Sequence, residues 1–125
     1  EYLRDLGVTA VELLPLADTV GKRNWGYDGV LLYAPDSAYG TPDDLKRLVD
    51  RAHSLGLMMF LDVVYNHFGP SGNYLHAYAE RFFTDKHHTP WGKAVNYDDQ
   101  GSHVVRDFVV HNALYWLEEF HFDGL

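Results

Sequence analysis

Hydrophobic positions along the chain change period several times, and each change marks an element. Tyr2, Leu3 and Leu6 share one face, which predicts the end of a helix over 1–6, with Gly7 at the left-handed position that follows it. Val8 to Leu14 (VTAVELL) is β-branched and aliphatic and predicts a strand closed by Pro15. Thr41, Pro42, Asp43 and Asp44 then supply an N-cap, a first-turn proline and two carboxylates at the positive end of a helix dipole. Leu45, Leu48, Val49, Ala52 and Leu55 recur at helical spacing and Gly56 stands where a terminating glycine should, so the helix runs over 42–55.

Leu57 to Tyr65 (LMMFLDVVY) is apolar at successive positions rather than alternating, the pattern of a strand covered on both faces in a parallel sheet. Ser102 is the expected cap of a third helix, whose apolar positions from Val104 to Phe120 keep helical spacing, and Phe122 to Leu125 opens another strand. The order α, β, α, β, α, β predicts βαβ units with crossover helices. Two connections are long, 16–40 and 66–101, and both leave the C-terminal ends of strands, where α/β folds place their sites.

Composition narrows the function classes. The chain has 125 residues, 10 Lys+Arg against 18 Asp+Glu and a net charge of −8, so one domain at most fits and a phosphate backbone is repelled. Nucleic acid is not an expected partner. No apolar run approaches the roughly 20 residues that cross a bilayer, so no membrane partner is expected either. Without cysteine there is no disulfide framework and no thiolate nucleophile. The chain starts at Glu1 without a signal-type segment and stops just after a strand start, so it reads as an excerpt, with the cytoplasm as the expected location.

Eleven of the nineteen aromatics lie in the two long connections: Trp25, Tyr27, Tyr33, Tyr39, Phe68, Tyr74, Tyr78, Phe82, Phe83, Trp91 and Tyr97. Single rings there often only pin a loop to its scaffold, but a set at one sheet end predicts stacking on an amphipathic ligand such as a sugar. No glycine-rich phosphate cradle occurs, so nucleotide binding has no support. Asp62 interrupts a buried strand, where a carboxylate is costly unless paired; an arginine on a neighbouring strand and direct chemistry are equally good readings. His67 sits beside it at the strand terminus. His87 and His88 form an exposed pair without ligand spacing, and no metal or cofactor is assigned.

Asp62-Val63-Val64-Tyr65-Asn66-His67 resembles the first signature motif of glycoside hydrolase family 13, the α-amylase family. Asn24-Trp25-Gly26-Tyr27-Asp28, then Tyr39-Gly40-Thr41-Pro42 and a helix ending in Ala52-His53, is similar to that family's second strand, loop and helix. The stretches 62–75, 82–98 and 112–125 are most similar to the members that release trehalose from maltooligosyltrehalose, with branching and debranching members as the alternative and a non-catalytic sugar-binding relative as a third reading. The resemblance implies that residues 1–125 are part of one catalytic (β/α)8 barrel, about its second to fourth βα units. It also implies retaining cleavage of α-glucosidic bonds by two carboxylates about 5–5.5 Å apart. By the family pattern neither carboxylate lies in this sequence, the nucleophile falling three residues beyond Leu125. What the resemblance places here is a sugar-holding shell for an α-glucan or maltooligosyltrehalose. Tyr27 would stack on the sugar, His67 hydrogen-bond it and Asp62 orient its neighbours. Trp25, Asp28 and Asn66 complete the expected substrate-binding set, Asn66 standing where many α-amylases bind calcium.

Overall fold

A computed structural model describes residues 1–125. A short helix α1 (Tyr2–Asp5) leads through Gly7 at φ 91° into β1 (Ala10–Leu13). Helix α2 (Pro42–Ser54) begins with a full capping box: the Thr41 hydroxyl accepts the Asp44 N–H at 3.2 Å and the Asp44 carboxylate accepts the Thr41 N–H at 2.7 Å. The Thr41 hydroxyl also donates to Asp44 Oδ2 at 2.6 Å, and this bond, followed by that from the Thr41 N–H, holds the Asp44 carboxyl below the usual carboxylate range. Gly56, at φ 74°, turns the chain into β4 (Met58–Leu61), which pairs parallel with β1 from Ala10↔Met58 to Leu13↔Leu61. Between β1 and α2 lie β2 (Ala17–Asp18) and β3 (Leu31–Pro35).

Helix α4 (Ser102–Glu119) lies against this parallel pair. Its Trp116, with Phe120 and Phe122 beyond its end, closes a core with Val49 and Ala52 of α2 and Leu57, Met59 and Leu61. The segment expected as a strand from Phe122 makes one parallel bridge, Phe60↔Gly124, flanked by Asp123 N–H to Met59 O at 2.8 Å and Leu61 N–H to Gly124 O at 3.1 Å. β4 is shorter than its apolar run because its pairing with β1 ends at Leu13↔Leu61, and Met58 within it remains exposed.

The expectation for Ser102 is corrected. Gly101, at φ 81°, occupies the cap position and Ser102 is already inside the first turn, where its hydroxyl accepts from Arg106 at 2.8 Å.

The two long connections also hold more structure than their sequence suggests. In 16–40, β2 and β3 pair antiparallel. In 66–101, a single turn of helix α3 (Leu75–Tyr78) precedes a hairpin of β5 (Phe83–Thr89) and β6 (Gly92–Val95). A second core sits under this hairpin: Phe82, Val95 and Val105, with Phe68, Phe83, Tyr97 and Phe108 packed on them. Its rings meet edge to face, Phe82–Phe108 at 5.3 Å and Phe68–Phe82 at 5.9 Å. The reading of the loop aromatics as one ligand-facing set is therefore corrected: Phe68, Phe82, Phe83 and Tyr97 fasten the hairpin to α4.

Candidate functional site

The Asp62 N–H still donates to Leu13 O at 2.9 Å, so the ladder delivers residues 62–67 to the C-terminal end of the β1–β4 pair. The loop carrying Asn24 to Gly29 folds over the same end. Gly26, at φ 96°, lies so close to Pro15 that a Cβ would stand 2.0 Å from the Pro15 carbonyl oxygen, and its N–H donates to Asn24 Oδ1 at 2.6 Å. Only glycine fits there, by conformation and by space. Asn24 also donates to Asp28 Oδ2 at 3.0 Å.

Three of the expected residues converge where the loops meet. The Tyr27 hydroxyl donates to Asp62 Oδ2 at 2.6 Å, and His67 Nε2 lies 2.8 Å from the Tyr27 carbonyl oxygen. The hydrogen bond to the Asp62 carboxylate raises the Tyr27 pKa, keeping the phenol protonated as a donor. Two residues on, Gly69 N–H donates to Gly29 O at 3.1 Å, and a Cβ on Gly69 would come within 2.0 Å of the Asp28 carbonyl oxygen. Asp28 thus meets the second loop through its backbone. Trp25 is 79% exposed and Asn66 is also exposed, and neither side chain hydrogen-bonds into the cluster.

Among residues 1–125 the partner of Asp62 is a hydroxyl and not an arginine. Within this chain its carboxylate is held by Tyr27 and makes no ion pair. No three His, Asp or Glu side chains gather to hold a metal ion.

One residue outside the expected substrate-binding set joins the cluster. Trp91, at the tip of the β5–β6 hairpin, stacks on His67 with ring centroids 4.3 Å apart and planes 8° from parallel. The signal was the turn Thr89-Pro90-Trp91-Gly92, which presents a large ring where a turn needs none. The His67 Nδ1 is buried and has no hydrogen-bond partner in the chain. The cluster therefore offers a tyrosine ring anchored by its hydroxyl and a carboxylate beside it, with the imidazole packed between Tyr27 and Trp91, which suits a polyhydroxylated ring with apolar faces. An apolar groove of about 390 Å³ between β1 and α2, lined by Leu14, Leu16, Leu45 and Leu48 among others, includes none of Tyr27, Asp62 and His67.

Residues 1–119 match the family model described as alpha amylase, catalytic domain. The chain belongs to the alpha-amylase family. It is 53% identical over 123 residues to a malto-oligosyltrehalose trehalohydrolase of Saccharolobus solfataricus, covering 98% of this chain and 22% of that protein. To the enzyme of the same name from Deinococcus radiodurans it is 55% identical over 124 residues, covering 99% and 20%. The chain thus spans about a fifth of the length of these curated relatives. Among solved structures, one from Salmonella typhimurium matches with a TM-score of 0.93 at 55% identity, covering 99% of this chain and 21% of that one. A type I pullulanase from Bacillus subtilis complexed with maltose matches with a TM-score of 0.83 at 29% identity, covering 98% and 20%. The alternating helices and parallel strands are part of the (β/α)8 barrel of the alpha-amylase family.

Proposed function

We propose that this chain is the partial catalytic barrel domain, over 1–125, of a glycoside hydrolase that releases trehalose from maltooligosyltrehalose by a retaining mechanism. The observation that carries this reading is identity above one half, over nearly the whole chain, with two enzymes that are both named malto-oligosyltrehalose trehalohydrolase. In the complete protein the reaction needs two carboxylates, a nucleophile and an acid/base. In this proposal the residues here hold the sugar for them.

Tyr27 is the stacking face, fixed by its bond to Asp62; His67 supplies a hydrogen bond, and Trp25, Asp28 and Asn66 extend the shell. Trp91 covers the His67 ring and narrows the approach to it. The setting would be trehalose formation in the cytoplasm. The test offers the whole protein maltooligosyltrehalose and a plain maltooligosaccharide of equal length and identifies the products. The expected outcome is a kcat/KM at least about tenfold higher for the former, with free trehalose as product. New α-1,6 branches, or equal hydrolysis of both substrates, would overturn the trehalose reading and leave the family membership standing.

A further inference from the structure

His67 reaches the cluster only if the backbone just before it is held, and that backbone is held from behind. Asn112 is 1% exposed in the middle of α4. Its Oδ1 accepts the Tyr65 hydroxyl at 2.9 Å and the Trp116 indole N–H at 3.2 Å, while its Nδ2 donates to the Leu32 carbonyl of β3 at 2.8 Å. One amide thus ties three pieces together: the segment after β4, the helix behind it and the strand that closes the first loop. The other end of Tyr65 is held too, its carbonyl accepting the Tyr97 hydroxyl at 2.5 Å. Tyr97 is in turn fixed by Arg106 of α4, which donates to the Tyr97 carbonyl at 2.7 Å.

The void among Leu61, Asp62, Tyr65, Asn112 and Trp116 is only about 10 Å³, space for no more than about one water. Burial raises the Tyr65 hydroxyl to about 12, so it remains a donor throughout the neutral range.

An apolar residue of the same size at 112 would leave the Tyr65 hydroxyl, the Trp116 indole N–H and the Leu32 carbonyl without this partner. The Asn112 amide therefore fixes Tyr65 against α4 by a hydrogen bond, two residues before the imidazole that meets Tyr27. We propose that Asn112 and Tyr65 are positioning residues, a brace that sets the place of His67 against Tyr27 for substrate binding and turnover. The proposal rests on the reading of His67 as a sugar-contacting residue.

The test is a double-mutant cycle in the whole protein with maltooligosyltrehalose as substrate. Tyr65→Phe removes only the hydroxyl and leaves Asn112 Oδ1 with its Trp116 partner, so no buried group is orphaned. Tyr65→Phe is expected to lower kcat/KM roughly tenfold in the wild-type background. In the His67→Ala background the same substitution is expected to cost less than about twofold, because the group it positions is gone. A brace that merely stabilised the fold would lower the thermal midpoint equally in both backgrounds and leave kcat/KM unmoved well below it.

Asn112→Leu, which removes the acceptor of the Tyr65 hydroxyl together with the Nδ2 donor to Leu32, is the second variant; in the folded protein, checked by its thermal midpoint, it must show the same loss of effect without His67. Equal effects in both backgrounds, or Tyr65→Phe at wild-type kcat/KM, overturn the brace while leaving His67 in the site. Should His67→Ala itself keep wild-type kcat/KM, the reading of His67 fails, and the brace falls with it.

Discussion

Tyr27, Asp62 and His67 come from two different loops, and what joins them is largely backbone. His67 meets the Tyr27 carbonyl rather than its ring, and two residues later Gly69 donates to Gly29. The motif around Asp62 and His67 was legible in sequence, as was the Trp25-Gly26-Tyr27-Asp28 run. Their crossing was not, since it depends on which backbone groups approach and no side-chain pattern records that. The place where such a crossing leaves a trace is glycine. At Gly69 a Cβ would stand 2.0 Å from the Asp28 carbonyl oxygen, so the penalty is steric and lies at the seam between the loops. Gly69→Ala is expected to destabilise the fold by about 1–3 kcal/mol and to lower the thermal midpoint. Thermal unfolding by circular dichroism checks this, and an unchanged midpoint would mean that the loops do not cross here.

Helix α2 shows what an element needs to be readable: its cap, first-turn proline, apolar stripe and terminating glycine all lie within its own sequence. The β5–β6 hairpin lacks such marks. Its strand FTDKHHT is mostly polar and exposed, and it is held by Phe82, Phe83 and Val95 against α4, a contact no local pattern announces. The last segment lies between these cases. Phe122 to Leu125 read as a strand, but its register is set by Asp123, whose carboxylate accepts the Met59 N–H at 2.7 Å and meets His53 Nε2 at 2.8 Å.

Those bonds hold the Asp123 carboxyl below the usual carboxylate range, the Met59 amide contributing most. A carboxylate whose folded pKa is depressed adds stability above its unfolded value, about 3.9, and loses it as pH falls through the lower folded value. Asp123→Asn should therefore flatten part of the acid limb of stability below about pH 4, the remainder coming from Asp44, Asp98, Asp99 and Glu119, which are depressed as well. Thermal midpoints measured across that range, with variant and wild type losing stability in parallel, would refute the role of Asp123.

At the scale of the whole molecule, the chain is two cores joined by α4. Trp116, Phe120 and Phe122 seal the parallel pair, and Val105 and Phe108 seat the hairpin that brings Trp91 to His67. The high aromatic content therefore has two uses. Part of it builds the scaffold of the second long loop, and part of it, Tyr27 and Trp91 above all, faces the cluster. The sequence pattern placed both parts on the same loops and could not separate them, because an exposed ring and a packed ring have the same letter. The central claim is that the place where the loops meet, at the end of the parallel pair, holds the sugar. Its most direct test is the steady-state kinetics of Tyr27→Ala and His67→Ala in the whole protein, with thermal midpoints recorded alongside. The account predicts that each variant folds and loses at least about tenfold in kcat/KM, with kcat falling where the contact tightens in the transition state. Wild-type kcat and kcat/KM in both folded variants would contradict it.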